Sequence, residues 1–163
     1  MAAYSTTLTA SYTSPLNDVE RLQGWNKKFV IPYTFVAQAS ATTATDVVTV
    51  VLGDTPAKWM VDKARAVVTT PFTATGTQTL TLQVGSTTSI AAFISAQSVL
   101  TAGALGQAST IDQLTNATGT SAVSLVATFT NAAAGSPSLT TAGSVTILLN
   151  VQDQADGTFQ PNN

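Results

Sequence analysis

Several stretches of the chain alternate apolar and polar residues at a period of two, the spacing of a strand with one buried face. In residues 79–85, Leu80, Leu82 and Val84 fall on one side, with Thr79, Thr81 and Gln83 on the other. Residues 121–130 align Val123, Leu125, Ala127 and Phe129, and residues 143–152 align Val145, Ile147, Leu149 and Val151. The run 58–72 sets Met60, Ala64, Ala66 and Val68 against Trp59, Val61, Lys63 and Arg65. Asp62 interrupts its apolar side, which predicts a bend or a change of pairing there. Residues 45–52 are a β-branched run long enough for one strand. Residues 27–35 read as another strand, which Pro32 confines to a sheet edge or a bulge because it cannot donate to a ladder. Residues 53–56, "GDTP", read as a turn.

Two segments follow a different spacing. Ile90, Phe93, Ile94 and Leu100 approximate a helical stripe that Gly103 would close, predicting a short helix across one end of a sheet. Residues 17–25 predict one helical turn with Asn17 as its N-cap. The total is seven or eight strands separated by turn signals, with one short helix over a sheet end. That spacing indicates an all-β chain, an antiparallel β-sandwich or jelly roll rather than a βαβ fold. The pattern divides the chain into an N-terminal arm (1–26), a β-sandwich domain (27–152) and a C-terminal tail (153–163). The arm either packs on its own domain or reaches a neighbouring subunit. Tyr4, Leu8, Tyr12 and Trp25 are its candidate anchors, with Lys27 and Lys28 beside them as either partner contacts or a solvated strand end.

Composition sharpens this picture in one respect. Charged residues are 9% of the 163, against about 25% in an average soluble domain. Residues 66–111 carry no charge, all six Lys and Arg lie at or before Arg65, and only Asp112, Asp153 and Asp156 are charged beyond it. Thr and Ser hydroxyls keep such strands hydrated without net charge. An uncharged Thr-rich strand at a sheet edge is nonetheless a template for pairing with another chain, and monomers usually guard such edges with Lys or Glu. Covered edges or an assembly are the two ways out, and the composition favours assembly.

The same composition argues against several classes of function. Net charge is −2, and the small basic cluster "RLQGWNKK" is offset by Asp18 and Glu20, which argues against nucleic-acid binding. The neutral run is interrupted throughout by polar residues, Pro and Gly, so it is not a membrane span. The opening residues lack a basic and an apolar signal region, predicting folding in the cytoplasm. Without His or Cys there is no Ser-His-Asp triad, cysteine nucleophile or ordinary zinc site, and no cofactor is expected. Carboxylate chemistry would have to draw on Asp54, Asp62, Asp112, Asp153 or Asp156, which read as turn and surface groups. "DQADG" (153–157) lacks the acidic ladder of a calcium loop, and "NAT" at Asn116 matters only in a secreted protein. Trp59 beside Asp62 is a candidate sugar platform, the basis of an alternative reading as a carbohydrate- or receptor-binding component.

The succession "FVIPYTFVAQAS", "TDVVTVVLGDTPAKWMVDKARAVVTTPFT", "TQTLTLQVGSTTS" and "AAFISAQSVLTAG" resembles small virion proteins of tailed bacteriophages, capsid decoration (cement) proteins among them. The resemblance runs from Phe29 to Gly103 and omits the arm. It implies a β-sandwich of jelly-roll type, no catalytic residues, and a place on the virion. The implied partners are the major capsid protein and further copies of the chain, as a homotrimer that bridges capsomers.

Overall fold

The structure, a computed structural model, describes residues 2–7, 15–37, 45–55, 59–74, 78–105, 123–133 and 140–153. Its elements in chain order are β1 (Ala2–Thr7), α1 (Asp18–Leu22), β2 (Lys27–Pro32), α2 (Tyr33–Val36), β3 (Thr45–Thr55) and β4 (Trp59–Ala74). They continue with β5 (Gln78–Ser86), β6 (Ser89–Ser98), β7 (Gly103–Leu105), β8 (Val123–Ala133) and β9 (Thr140–Asp153). The strands form two sheets, ordered β1–β3–β8–β5–β6 and β2–β9–β4–β7. All neighbours are antiparallel except β1, which runs parallel to β3 with Ala2 opposite Asp46 and Thr7 opposite Val51.

Alternation explains why two sheets suffice. Val48, Val50, Leu80, Leu82, Val84, Ala127 and Phe129 of the first sheet meet Phe29, Ile31, Ala66, Val68, Ile147 and Leu149 of the second in one core. Each large apolar side chain fully buried there contributes roughly 1.5–3 kcal/mol. The inward sets expected for β5, β8 and β9 are all found in that core or packed against it. The Phe72 and Phe129 rings bridge the sheets, with centroids 5.7 Å apart and planes at 46°.

Four expectations are corrected. Residues 90–103 are not a helix: residues 90–98 belong to β6, at the edge of the first sheet, residues 99–102 form a connection, and Gly103 opens β7. Pairing of β5 with β6 slips between Leu82 and Val84 and again between Val84 and Ser86. The extra residues let adjacent Phe93 and Ile94 both be buried, which regular pleating forbids. A bulged strand thus copies the i, i+3, i+4 spacing of a helix. Among the described residues the helical elements are α1, the turn expected after its Asn17 N-cap, and α2, which forms because β2 ends at Pro32 and residues 33–36 are helical rather than continuing the strand.

The other two corrections concern bulges. β3 does not turn at residue 53; a register shift between Val51 and Gly53 carries it on to Thr55, opposite Val123. In β4 the change of pairing does occur at Asp62, since Val61 faces Val151 and Lys63 faces Asn150. That unpaired residue reverses the parity, so Val61 joins Ala64, Ala66 and Val68 in the core, while Met60 is buried outside that cluster.

The edges are treated unequally. β2 carries Lys27, Lys28 and Pro32, and β7 is only three residues long, both ordinary protections of a sheet edge. β6 has ten residues with neither charge nor proline, and Ile90 on it is 44% exposed. Among the described residues, its bulges are what discourages pairing with a further strand.

Candidate functional site

Glu20, Lys28, Lys63 and Arg65 gather where α1 lies against the outer face of the β2–β9–β4 sheet. Five residues cannot hold a helix by propensity alone, so α1 depends on its ends and its anchors. Asn17 Oδ1 accepts from the Glu20 N–H and Glu20 Oε2 accepts from the Asn17 N–H, both at 2.8 Å, a complete capping box. The same Glu20 carboxylate binds Lys28 Nζ of β2 at 2.8 Å. Lys63 Nζ of β4 donates to the Gln23 carbonyl and sits 4.6 Å from the centre of the Trp25 ring. Asn26 then completes the anchor by imitating a strand residue. Its Nδ2 donates to the Val151 carbonyl at 2.6 Å and its Oδ1 accepts the Val151 N–H at 2.9 Å.

The hydrogen bond from Lys28, with that from the Asn17 backbone, lowers the Glu20 pKa from its usual 4.5 against a smaller opposing effect of burial. A carboxylate with a depressed folded-state pKa contributes stability that is present above 4.5 and lost as pH falls through the folded value. The contribution is about 1 kcal/mol or less for a pair with this much solvent contact. Acidification below pH 4.5 is therefore expected to loosen α1, read as a shift of the Trp25 indole N–H resonance. Glu20→Gln should remove that transition; an unchanged transition in the variant would show that another group drives it.

With Glu20 turned to the sheet, α1 presents Val19 and Leu22 outward beside the exposed Asp18 and Arg21. Val19 is 62% exposed and Leu22 is 87% exposed. Three residues apart, they share one helix face. Beneath α1, Lys28, Leu148 and Arg65 lie in one row across β2, β9 and β4, because Leu148 faces Lys28 on one side and Arg65 on the other. Together with Glu20, Gln23, Val67, Thr69 and Thr146 this row lines a groove of about 350 Å³.

The structure distributes the sequence-derived candidates unevenly. Trp25 and Lys28 belong to the α1 anchor, while Lys27 is exposed at the start of β2 opposite Leu149. Tyr4 pairs with Val48 of its own chain, in β1. Trp59 opens β4 opposite Asp153, and Asp62 is the unpaired residue of the bulge. Leu8, Tyr12, Asp112, Asn116 and the tail beyond Asp153 lie outside the described residues. Val19, Leu22 and Arg65 were not singled out from sequence. The first two carried a signal, an apolar i, i+3 pair inside a capped turn; Arg65 emerges only from strand register.

Among the described residues no three His, Cys, Asp or Glu residues come together as a metal site, and no helix is long and apolar enough to cross a membrane. Comparison with family models, curated proteins and solved structures finds no match to this chain.

Proposed function

We propose that this chain is a non-enzymatic structural protein of a bacteriophage particle, a capsid decoration protein that binds the outer capsid surface and bridges adjacent capsomers, acting as a homotrimer. The carrying observation is the orientation of α1: Glu20 and the Gln23 carbonyl hold it to the sheet, while Val19 and Leu22 are left exposed to solvent. A protein that fixes a short helix so that its apolar side is outward presents a contact for a companion molecule. The uncharged β6 edge points the same way, since it offers backbone donors and acceptors for strand addition.

A jelly roll is the fold we assign to the sandwich. Counting the eight strands β2 to β9 from one to eight, the sheets read 1–8–3–6 and 2–7–4–5, the arrangement in which two Greek keys wrap across a sandwich. β1 is then an addition to the edge of one sheet, made by the arm. On this reading stabilisation works by mass action: many copies bind the assembled shell and not its separated parts, so the shell is favoured.

The test uses purified protein and emptied heads built from the accompanying major capsid protein. Light scattering is expected to give a trimer, and the protein should sediment with the heads. Val19→Glu with Leu22→Glu should weaken that association at least tenfold while leaving the thermal transition within about 1 kcal/mol of wild type, as exposed substitutions do. A monomer that stays in the supernatant, or a double variant that binds heads undiminished, would overturn the proposal.

A further inference from the structure

The groove beneath α1 has more hydrogen-bond donors than acceptors. Glu20 is occupied by Lys28 Nζ, at 2.8 and 3.1 Å, and by the Asn17 N–H. Gln23 Oε1 accepts from Trp25 Nε1 at 3.3 Å, and the Gln23 carbonyl accepts from Lys63. Thr69 Oγ1 is bonded to the Ser144 carbonyl at 3.1 Å and to the Ser144 hydroxyl at 3.0 Å. Among the described residues, the Arg65 guanidinium, the Gln23 amide N–H₂ and the Thr146 hydroxyl have no such partner. The guanidinium alone brings five N–H groups in a rigid fork suited to a carboxylate. Val67 and Leu148 supply an apolar floor between these donors.

Electrostatics selects in the same direction. Lys28 and Arg65 stand on strands either side of β9, so their backbones are about 10 Å apart at the usual strand spacing. Lys28 has its counter-ion in Glu20, whereas Arg65 has none among the described residues. A ligand entering here meets one uncompensated cation, spare donors and an aliphatic surface. A neutral sugar would leave the cation unused, and a bare small anion would leave the floor uncovered. The groove, at about 350 Å³, lies within the roughly 300–1,000 Å³ range of small-molecule sites.

We infer that this groove binds a carboxylate-bearing sugar of the hexuronate type. Its carboxylate lies on Arg65, its hydroxyl oxygens accept from Gln23 and Thr146, and its C–H face rests on Val67 and Leu148. The site is separate from the Trp59 and Asp62 pair and independent of any capsid role, since it uses neither Val19 nor Leu22.

Isotope-labelled full-length protein titrated with glucuronate, with glucose and acetate as probes at matched ionic strength, tests this. Saturable shifts of the Arg65, Val67, Thr146 and Leu148 amides are expected with glucuronate, at an affinity at least tenfold above either control. Arg65→Gln should abolish the response, Arg65→Lys should weaken it at least several-fold by removing the fork, and Lys27→Gln should leave it unchanged. A matching thermal transition in Arg65→Gln establishes that the loss is local. Equal responses to glucuronate and acetate, an equal loss in Lys27→Gln, or the absence of saturable shifts at these amides would each overturn the assignment.

Discussion

Gly143→Ala is expected to remove a large share of the stability of this protein. Gly143 lies in β9 opposite the irregular part of β4, where Thr70 faces Ser144 and Thr73 faces Ala142. β4 thus fits one more residue into the interval than β9, and Phe72 falls within it. A Cβ on residue 143 would lie under 3.0 Å from Phe72 Cγ, Cδ1 and Cα. Residue 143 also has φ +137°, a conformation side chains rarely adopt. Phe72 cannot retreat, since it is fully buried and its N–H donates to the Val99 carbonyl at 3.0 Å. Overpacking typically costs about 1–3 kcal/mol, and the backbone strain adds about 1–3 kcal/mol more. The midpoint of thermal unfolding should fall by roughly 10 °C for a chain of this size. Calorimetry showing a loss under about 1 kcal/mol would mean that β9 relaxes at this point, and the close approach to Phe72 would not be structural.

That glycine also shows where sequence reasoning stops. Leu80, Leu82 and Val84, or Val145, Ile147 and Leu149, are legible because each strand keeps a strict period of two and faces a single core. Asp62 was legible for the same reason, since a charge in the inward register has to be accommodated by some irregularity. The direction of its effect was not, because one inserted residue moves Val61 inward without any change in composition. β6 failed more completely, as two register slips turned a strand into the likeness of a helix. The candidate site was half visible. Asn17, Glu20 and Lys28 are close in sequence, so a capped turn followed by a basic strand start is a local signal. Arg65 and Leu148 become neighbours only through the pairing of β4 with β9, 83 positions apart in the chain numbering of that pair.

Phe129→Ala is expected to have an effect of similar size, for a reason that joins the two sheets. Phe129 lies between Val48 of β3 and Leu82 of β5, and its ring reaches Phe72 of the opposite sheet. Truncating such a ring in a closed core costs about 3–5 kcal/mol, because the void is only partly filled by relaxation. Urea unfolding monitored by circular dichroism measures this directly. The more discriminating experiment is a cycle of Phe72→Leu, Phe129→Leu and the double variant. Leucine keeps much of the apolar volume but removes the tilted ring pair, so the two changes should fall short of additive by about 0.5–1.5 kcal/mol. Full additivity would mean that the rings merely fill space and that each sheet is held by its own neighbours. A measured coupling would place Gly143, Phe72 and Phe129 in one chain of dependence: the glycine makes room for one ring, and that ring fixes the other across the core. The β2–β9–β4 sheet, whose outer face carries α1 and the Arg65 groove, is then held in place by contacts on its inner face.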